Sequence, residues 1–155
     1  MKFSSKEDVE VPIARVFGIL SEFEAFERSA IRRGAEIQRL GDHVAPHVGQ
    51  AWEVTFDLRG KQRRAHVELT VYEAPHTMVF ESVAGGMNAV TAVDLVALSP
   101  GRTRISVVFE VKPTTLGARL LVQSMKLAKS NLTKRFKLRV AEYARDIEDR
   151  HARMA

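Results

Sequence analysis

From residue 50 to 112 apolar and polar side chains alternate almost without a break, and this pattern limits the chain more than any other feature. Successive side chains of a strand point to opposite faces, so a period of two means strands with one buried and one solvated face. The stretch WEVTFDL sets Trp52, Val54, Phe56 and Leu58 on one face and Glu53, Thr55 and Asp57 on the other. The same parity sends Ala65, Val67, Leu69, Val71, Met78, Phe80, Ser82, Ala89, Thr91, Val93, Leu95, Ile105, Val107, Phe109 and Val111 inward. Only Ser82 and Thr91 in this set are polar, and none is charged. Antiparallel strands joined by tight turns then form one curved sheet with an apolar inner face.

Turn chemistry proposes registers for the hairpins. A two-residue turn at Gly60-Lys61 pairs Phe56 with Ala65, Val54 with Val67 and Trp52 with Leu69; outside, Asp57 meets Arg64 and Thr55 meets His66. A slip of two residues keeps the same faces, so parity alone leaves this register open. A turn at Gly85-Gly86 pairs Phe80 with Thr91, Ser82 with Ala89 and Met78 with Val93. A two-residue turn at Pro100-Gly101 would set Asp94 against Val107. A three-residue loop from Pro100 to Arg102, with Gly101 or Arg102 left-handed, instead pairs Leu95 with Val107 and Val93 with Phe109.

Helices flank this block. Residues 2–11 read as a strand closed by Pro12, which suits a first helical turn. IARVFGILSEF spaces Ile13, Val16, Phe17 and Leu20 helically. EAFERSAIRRG is a second short helix with Phe26 and Ile31 inward and Gly34 as C-cap, AEIQRL is a strand, and GDHVAPHVGQ is a loop. After Gly117 come about 35 residues without Gly or Pro, in which Leu121, Met125, Ala128, Leu132, Phe136, Tyr143 and Ile147 recur every three or four positions. This predicts one amphipathic helix of roughly 50 Å. A second stripe, Leu116, Leu120, Leu127 and Leu138, falls within about 40° on the helical wheel, away from the first. It either widens the buried face or meets a second subunit, forming a homodimer, or a membrane surface.

Composition narrows the class. The 155 residues are 45% hydrophobic and 28% charged, as expected for one globular domain spanning 1–155. No run reaches the ~20 apolar residues of a membrane helix, and the acidic N-terminus does not read as a signal peptide. There is no cysteine, so thiolate chemistry and disulfides are excluded, and a cytoplasmic location is expected. A net charge of +5, from 24 basic and 19 acidic residues, is a mild excess that permits weak membrane association. No outward aromatic platform stacks bases, so no nucleic-acid partner is expected. His43 and His47 are spaced like metal ligands but lie in a Pro/Gly loop with only Asp42 nearby, so they read as exposed and no metal site is expected. Gly85-Gly86 precedes a strand and is a turn, not a phosphate loop. Arg63, on the apolar side near a hairpin tip, reads as a snorkelling rim residue.

The order strand, two short helices, six strands and a long C-terminal helix resembles the helix-grip fold of the START-like (SRPBCC) superfamily, which includes Bet v 1, START lipid-transfer domains and bacterial polyketide cyclase-like proteins. VEVPIARVFGILSEFEAFER, residues 9–28, looks like the opening of the bacterial members, with Glu22-Phe23 at the usual Asp-Phe. VGQAWEV and the Gly101-Arg102-Thr103-Arg104 corner look like the family's G-x-x-W/Y and G-T-R stretches, with Arg102 inserted here. These motifs are structural. The resemblance implies an α+β fold whose sheet wraps the long helix and encloses a cavity for lipids, sterols, polyketides or other apolar molecules.

The inner face therefore points to binding a small hydrophobic molecule. Trp52, Val54, Phe56, Val67, Leu69, Met78, Phe80, Phe109, Met125 and Phe136 would supply shape, and Ser82 and Thr91 the inward hydroxyls. A catalytic centre needs a titratable group with a close partner. The sheet's inner face offers none, so no catalytic residue and no cofactor is expected from it. Two other readings remain open. A polyketide cyclase or aromatase could draw an acid or base from the first helices or the 42–50 loop, and a lipid-associated protein could act through the basic C-terminal helix.

Overall fold

The computed structural model describes residues 1–154. One antiparallel sheet contains seven strands: β1 (Lys2–Val9), β2 (Glu36–Leu40), β3 (Ala51–Leu58), β4 (Lys61–Glu73), β5 (Thr77–Ala84), β6 (Met87–Ser99) and β7 (Arg102–Pro113), in the spatial order β1-β7-β6-β5-β4-β3-β2. Helices α1 (Ile13–Leu20) and α2 (Phe23–Arg32) follow β1, and α3 (Leu116–Lys126) and α4 (Lys129–Met154) follow β7. This is the α+β helix-grip arrangement, with a curved sheet around a long C-terminal helix.

The three hairpins show where parity suffices. At Gly85-Gly86 both glycines have positive φ, and Met78, Phe80 and Ser82 pair with Val93, Thr91 and Ala89 as the sequence predicts. Between β3 and β4 the turn is Arg59-Gly60, with φ of 56° and 72°, the left-handed pair that a tight hairpin favours. The register therefore moves by two residues from the expected one. Trp52 faces Val67, Val54 faces Ala65 and Phe56 faces Arg63, while outside Thr55 meets Arg64 and Glu53 meets His66.

Between β6 and β7 the expected three-residue loop is replaced by a two-residue turn, because Ser99 pairs with Arg102. An extra residue between Ala97 and Ser99 corrects the parity, so Leu95 faces Ile105 and Val93 faces Val107. Neither Gly101 nor Arg102 is left-handed. A second bulge, between Leu69 and Val71, turns Tyr72 inward against Met78 and moves Val71 to the outer face beside Val79.

The motif-bearing corners are structural ties. The buried Thr103 hydroxyl donates to the Val11 carbonyl at 2.7 Å, and Arg104 grips Asp8 across β1 and β7 at 2.8 and 3.1 Å. That hydrogen bond and the Arg104 charge hold the Asp8 carboxyl below the usual carboxylate range against the opposing effect of desolvation. The main core lies under α1 and the start of α2, where Val16, Phe17, Leu20 and Phe23 pack with Leu69, Tyr72, Met78, Leu95 and Ile105. Ile31, expected inward, is exposed, and buried Ser29 takes an inward place on α2.

The C-terminal segment is two helices rather than one. At Leu127 and Ala128 the backbone tightens to bonds with Ser124 and Met125, three residues back, before the four-residue spacing resumes from Leu132 to Ala128. The two pieces seat separately: α3 buries Ala118 and Val122 and lies against β7, whereas α4 buries Val140, Ala144 and Ile147 and lies against β1. Leu116, Leu120, Leu127 and Leu138 are all exposed, so the leucine stripe does not widen the buried face.

Candidate functional site

The space between the sheet, α2 and α4 is not filled by side chains. It is a cavity of about 440 Å³, within the size range of small-molecule sites. The sheet provides its floor, with Trp52, Val54, Val67, Phe80, Val93, Ile105 and Val107. The floor's two hydroxyls, Ser82 and Thr91, sit diagonally on adjacent strands. From α2 come Phe23, Phe26, Glu27 and Ala30, from β2 Ile37, and from α4 Phe136, Arg139, Val140, Tyr143, Ala144 and Ile147. Two of the α4 residues over this space, Val140 and Ala144, are small, whereas the bulky side chains of α1 fill the other end of the sheet.

Seven of the twelve residues expected around a ligand line this cavity: Trp52, Val54, Val67, Phe80, Ser82, Thr91 and Phe136. The other five lie outside its wall. Leu69 and Met78 are buried in the core under α1. Phe56 sits opposite Arg63, towards the hairpin tip. Phe109 stacks on Phe3 with ring centres 6.4 Å apart, and Met125 is at the end of α3, beyond the cavity. Arg63 does not reach the cavity either; it leans back towards the Leu58 carbonyl at 3.4 Å.

Helical spacing found Phe136 of α4, but the α2 side of the wall was not expected. The spacing of Phe23, Phe26, Glu27 and Ala30 places them on one face of α2, and that signal was available. Phe23 meets Trp52 and Phe80 edge-on at 5.6 and 5.7 Å, and Phe26 lies against Tyr143 at 5.1 Å. The Tyr143 hydroxyl donates to Ser29 at 3.2 Å.

Among the described residues, Glu27 is the one carboxylate in the wall. Its side chain is 12% exposed. The Trp52 indole N–H donates to it at 2.8 Å, and Arg39 donates from Nε and Nη2 at 2.6 to 3.0 Å. Burial by itself would raise its pKa, but the hydrogen bonds from Arg39 and Trp52, with the Arg39 charge, outweigh it and hold the carboxyl below its ordinary range. An ionised carboxylate met by three donors clamps α2 to β2 and β3 and has little acceptor capacity left for a guest.

His43 is part-buried, contrary to the exposed position expected, whereas His47 is exposed. Its Nε2 lies 2.9 and 3.1 Å from the Leu40 and Ala51 carbonyls, and its Nδ1 lies 2.9 Å from the Gln50 amide nitrogen. Carbonyls only accept, so this network assigns the proton to Nε2 and leaves Nδ1 as acceptor. Both ring nitrogens are thus occupied, and the ring stands edge-on to Trp52 at 5.3 Å. Its role is to hold the 42–50 loop against the back of Trp52. The wall's cation, Arg139, lies 3.5 Å from Glu142, so the arrangement suits a mostly apolar molecule with one or two oxygens in reach of Ser82 and Thr91.

Solved structures share this architecture. Norcoclaurine synthase from Thalictrum flavum, in complex with dopamine and hydroxybenzaldehyde, superposes with a TM-score of 0.66 at 13% identity, covering 100% of this chain and 88% of that one. A START superfamily protein from Mycobacterium smegmatis gives 0.56 at 12% identity over 86% and 95%. The Zhui aromatase/cyclase from Streptomyces sp. R1128 gives 0.55 at 13% over 74% and 69%. At these identities the likeness is one of fold. No curated protein matches the sequence significantly. The family described as polyketide cyclase / dehydrase and lipid transport matches residues 1–148, and the chain belongs to that family.

Proposed function

We propose that this protein binds and carries a small, mostly apolar molecule of lipid, sterol or polyketide type between its sheet and α4, acting in the cytoplasm as one domain of residues 1–155. The observation that carries this reading is the unfilled cavity of about 440 Å³, whose wall is apolar apart from two floor hydroxyls, a satisfied Glu27, and Arg139 and Tyr143 from α4. Trp52, Val54, Val67, Phe80 and Phe136, joined by Phe23, Phe26 and Tyr143, give the guest its shape. Ser82 and Thr91 give it a hydrogen bond. The family's description, which includes lipid transport, supports the reading. Exposed Leu116, Leu120, Leu127 and Leu138 offer such a carrier a place to meet a lipid surface or a second copy. Native mass spectrometry of delipidated protein mixed with a fatty acid or sterol probe should show a one-to-one complex. No uptake of any apolar probe would refute the reading.

A cyclase is the rival reading, favoured by the family's description and by the Zhui aromatase/cyclase. It needs an acid or base in the cavity, and Glu27 is the carboxylate placed there. Turnover of a polyketide-like substrate that vanished in Glu27→Gln, with ligand uptake intact, would favour the enzyme over the carrier.

A further inference from the structure

We propose that α3, the turn after it and the tip of the β3–β4 hairpin form a face that docks onto an anionic lipid surface. Leu116, Leu120 and Leu127 are 74%, 61% and 92% exposed. Such exposure of three leucines on one short segment marks a face without its partner. Arg59 at the hairpin tip reaches the Ser124 carbonyl at 3.4 Å, so tip and helix make one surface.

Charge identifies the partner. Residues 116–129 carry three basic and no acidic side chains, and residues 57–64 carry four basic and one acidic. These two segments thus hold seven of the 24 basic residues and one of the 19 acidic ones, a net +6, and the rest of the chain is left with seventeen against eighteen, a net −1. The mild overall excess is thus concentrated in these two segments. Basic side chains around exposed leucines match an anionic bilayer, where cations meet headgroups and leucines enter the headgroup boundary. A second copy meeting this face through a two-fold axis would oppose the same cations to themselves. A nucleic acid would neutralise the charge and leave the leucines in water.

Docking of this face does not depend on what the cavity holds.

The test is co-sedimentation with phosphatidylcholine vesicles, with and without about one third phosphatidylserine. Wild-type protein should bind only the anionic vesicles and should release as salt rises. Leu120→Glu/Leu127→Glu and, separately, Lys126→Glu/Lys129→Glu should each weaken binding by about tenfold or more, with melting temperatures near wild type. Thr91→Phe, which narrows the cavity, should still bind vesicles, so weakened ligand uptake and loss of docking read out separately. Three results would overturn the proposal. The first is no binding to anionic vesicles at low salt, or binding that the leucine variant leaves unchanged. The second is a wild-type dimer that Leu127→Glu dissociates. The third is retention of an oligonucleotide while vesicles are ignored.

Discussion

The three donors around Glu27 make that side chain both a clamp and a titrating group. Glu27→Gln keeps the shape but loses the ion pair, and the expected cost is about 1–3 kcal/mol in chemical denaturation. The pH dependence has a definite sign. The folded-state pKa lies below the ordinary 4.5, so the unfolded chain takes up the proton first. The stabilisation is complete above that ordinary value and is lost as pH falls through the lowered folded one. Wild type should therefore lose more stability on acidification than Glu27→Gln; parallel acid limbs would show that the clamp contributes nothing. Gly85 and Gly86 make a second residue-scale pair. Both have positive φ, but a Cβ on Gly86 would also collide with the Thr115 side chain, whereas one on Gly85 meets open space. Gly85→Ala should cost about 1–2 kcal/mol from backbone conformation. Gly86→Ala should cost more in the same denaturation series, since Thr115 also caps α3.

Among elements, the strands were legible in the sequence and their joints less so. Alternation marks which residues share a face, but a bulge costs one residue and leaves no mark in composition. The sequence rejects a two-residue turn at Pro100-Gly101 on parity, and the protein uses that turn because one extra residue near Leu98 restores parity. Deleting Leu98 should therefore leave the β6–β7 register intact and cost little, through lost local twist. Deleting Ala92 in the middle of β6 should reverse every side chain on one side of it and abolish the cooperative thermal transition. Equal damage from the two deletions would contradict this account of the hairpin. The break at Leu127-Ala128 was illegible for another reason. No Gly or Pro marks it, and it coincides with α3 and α4 resting on different strands.

On the scale of the molecule, the fold could be read from element order, while the cavity could be read only in part. Parity found the floor, including Thr91 and Ser82, because strands expose their inward set directly. It assigned Leu69 and Met78 to a ligand because it could not show that α1 covers that end of the sheet. It missed Glu27 because the residue is helical and charged, and its burial depends on Arg39 and Trp52 from other elements. The space that remains should accept a guest. Trp52 is the single tryptophan and lines the cavity, so its emission responds to a guest in that space. The deciding measurement is a titration of Trp52 fluorescence with a fatty acid, in wild type and in Thr91→Phe. A saturable one-to-one change is expected in wild type and a weaker one in Thr91→Phe, which should fold with undiminished stability because its new ring enters empty space. Indifferent emission in wild type, or the loss of about 1–3 kcal/mol that overpacking a filled core brings to Thr91→Phe, would contradict it.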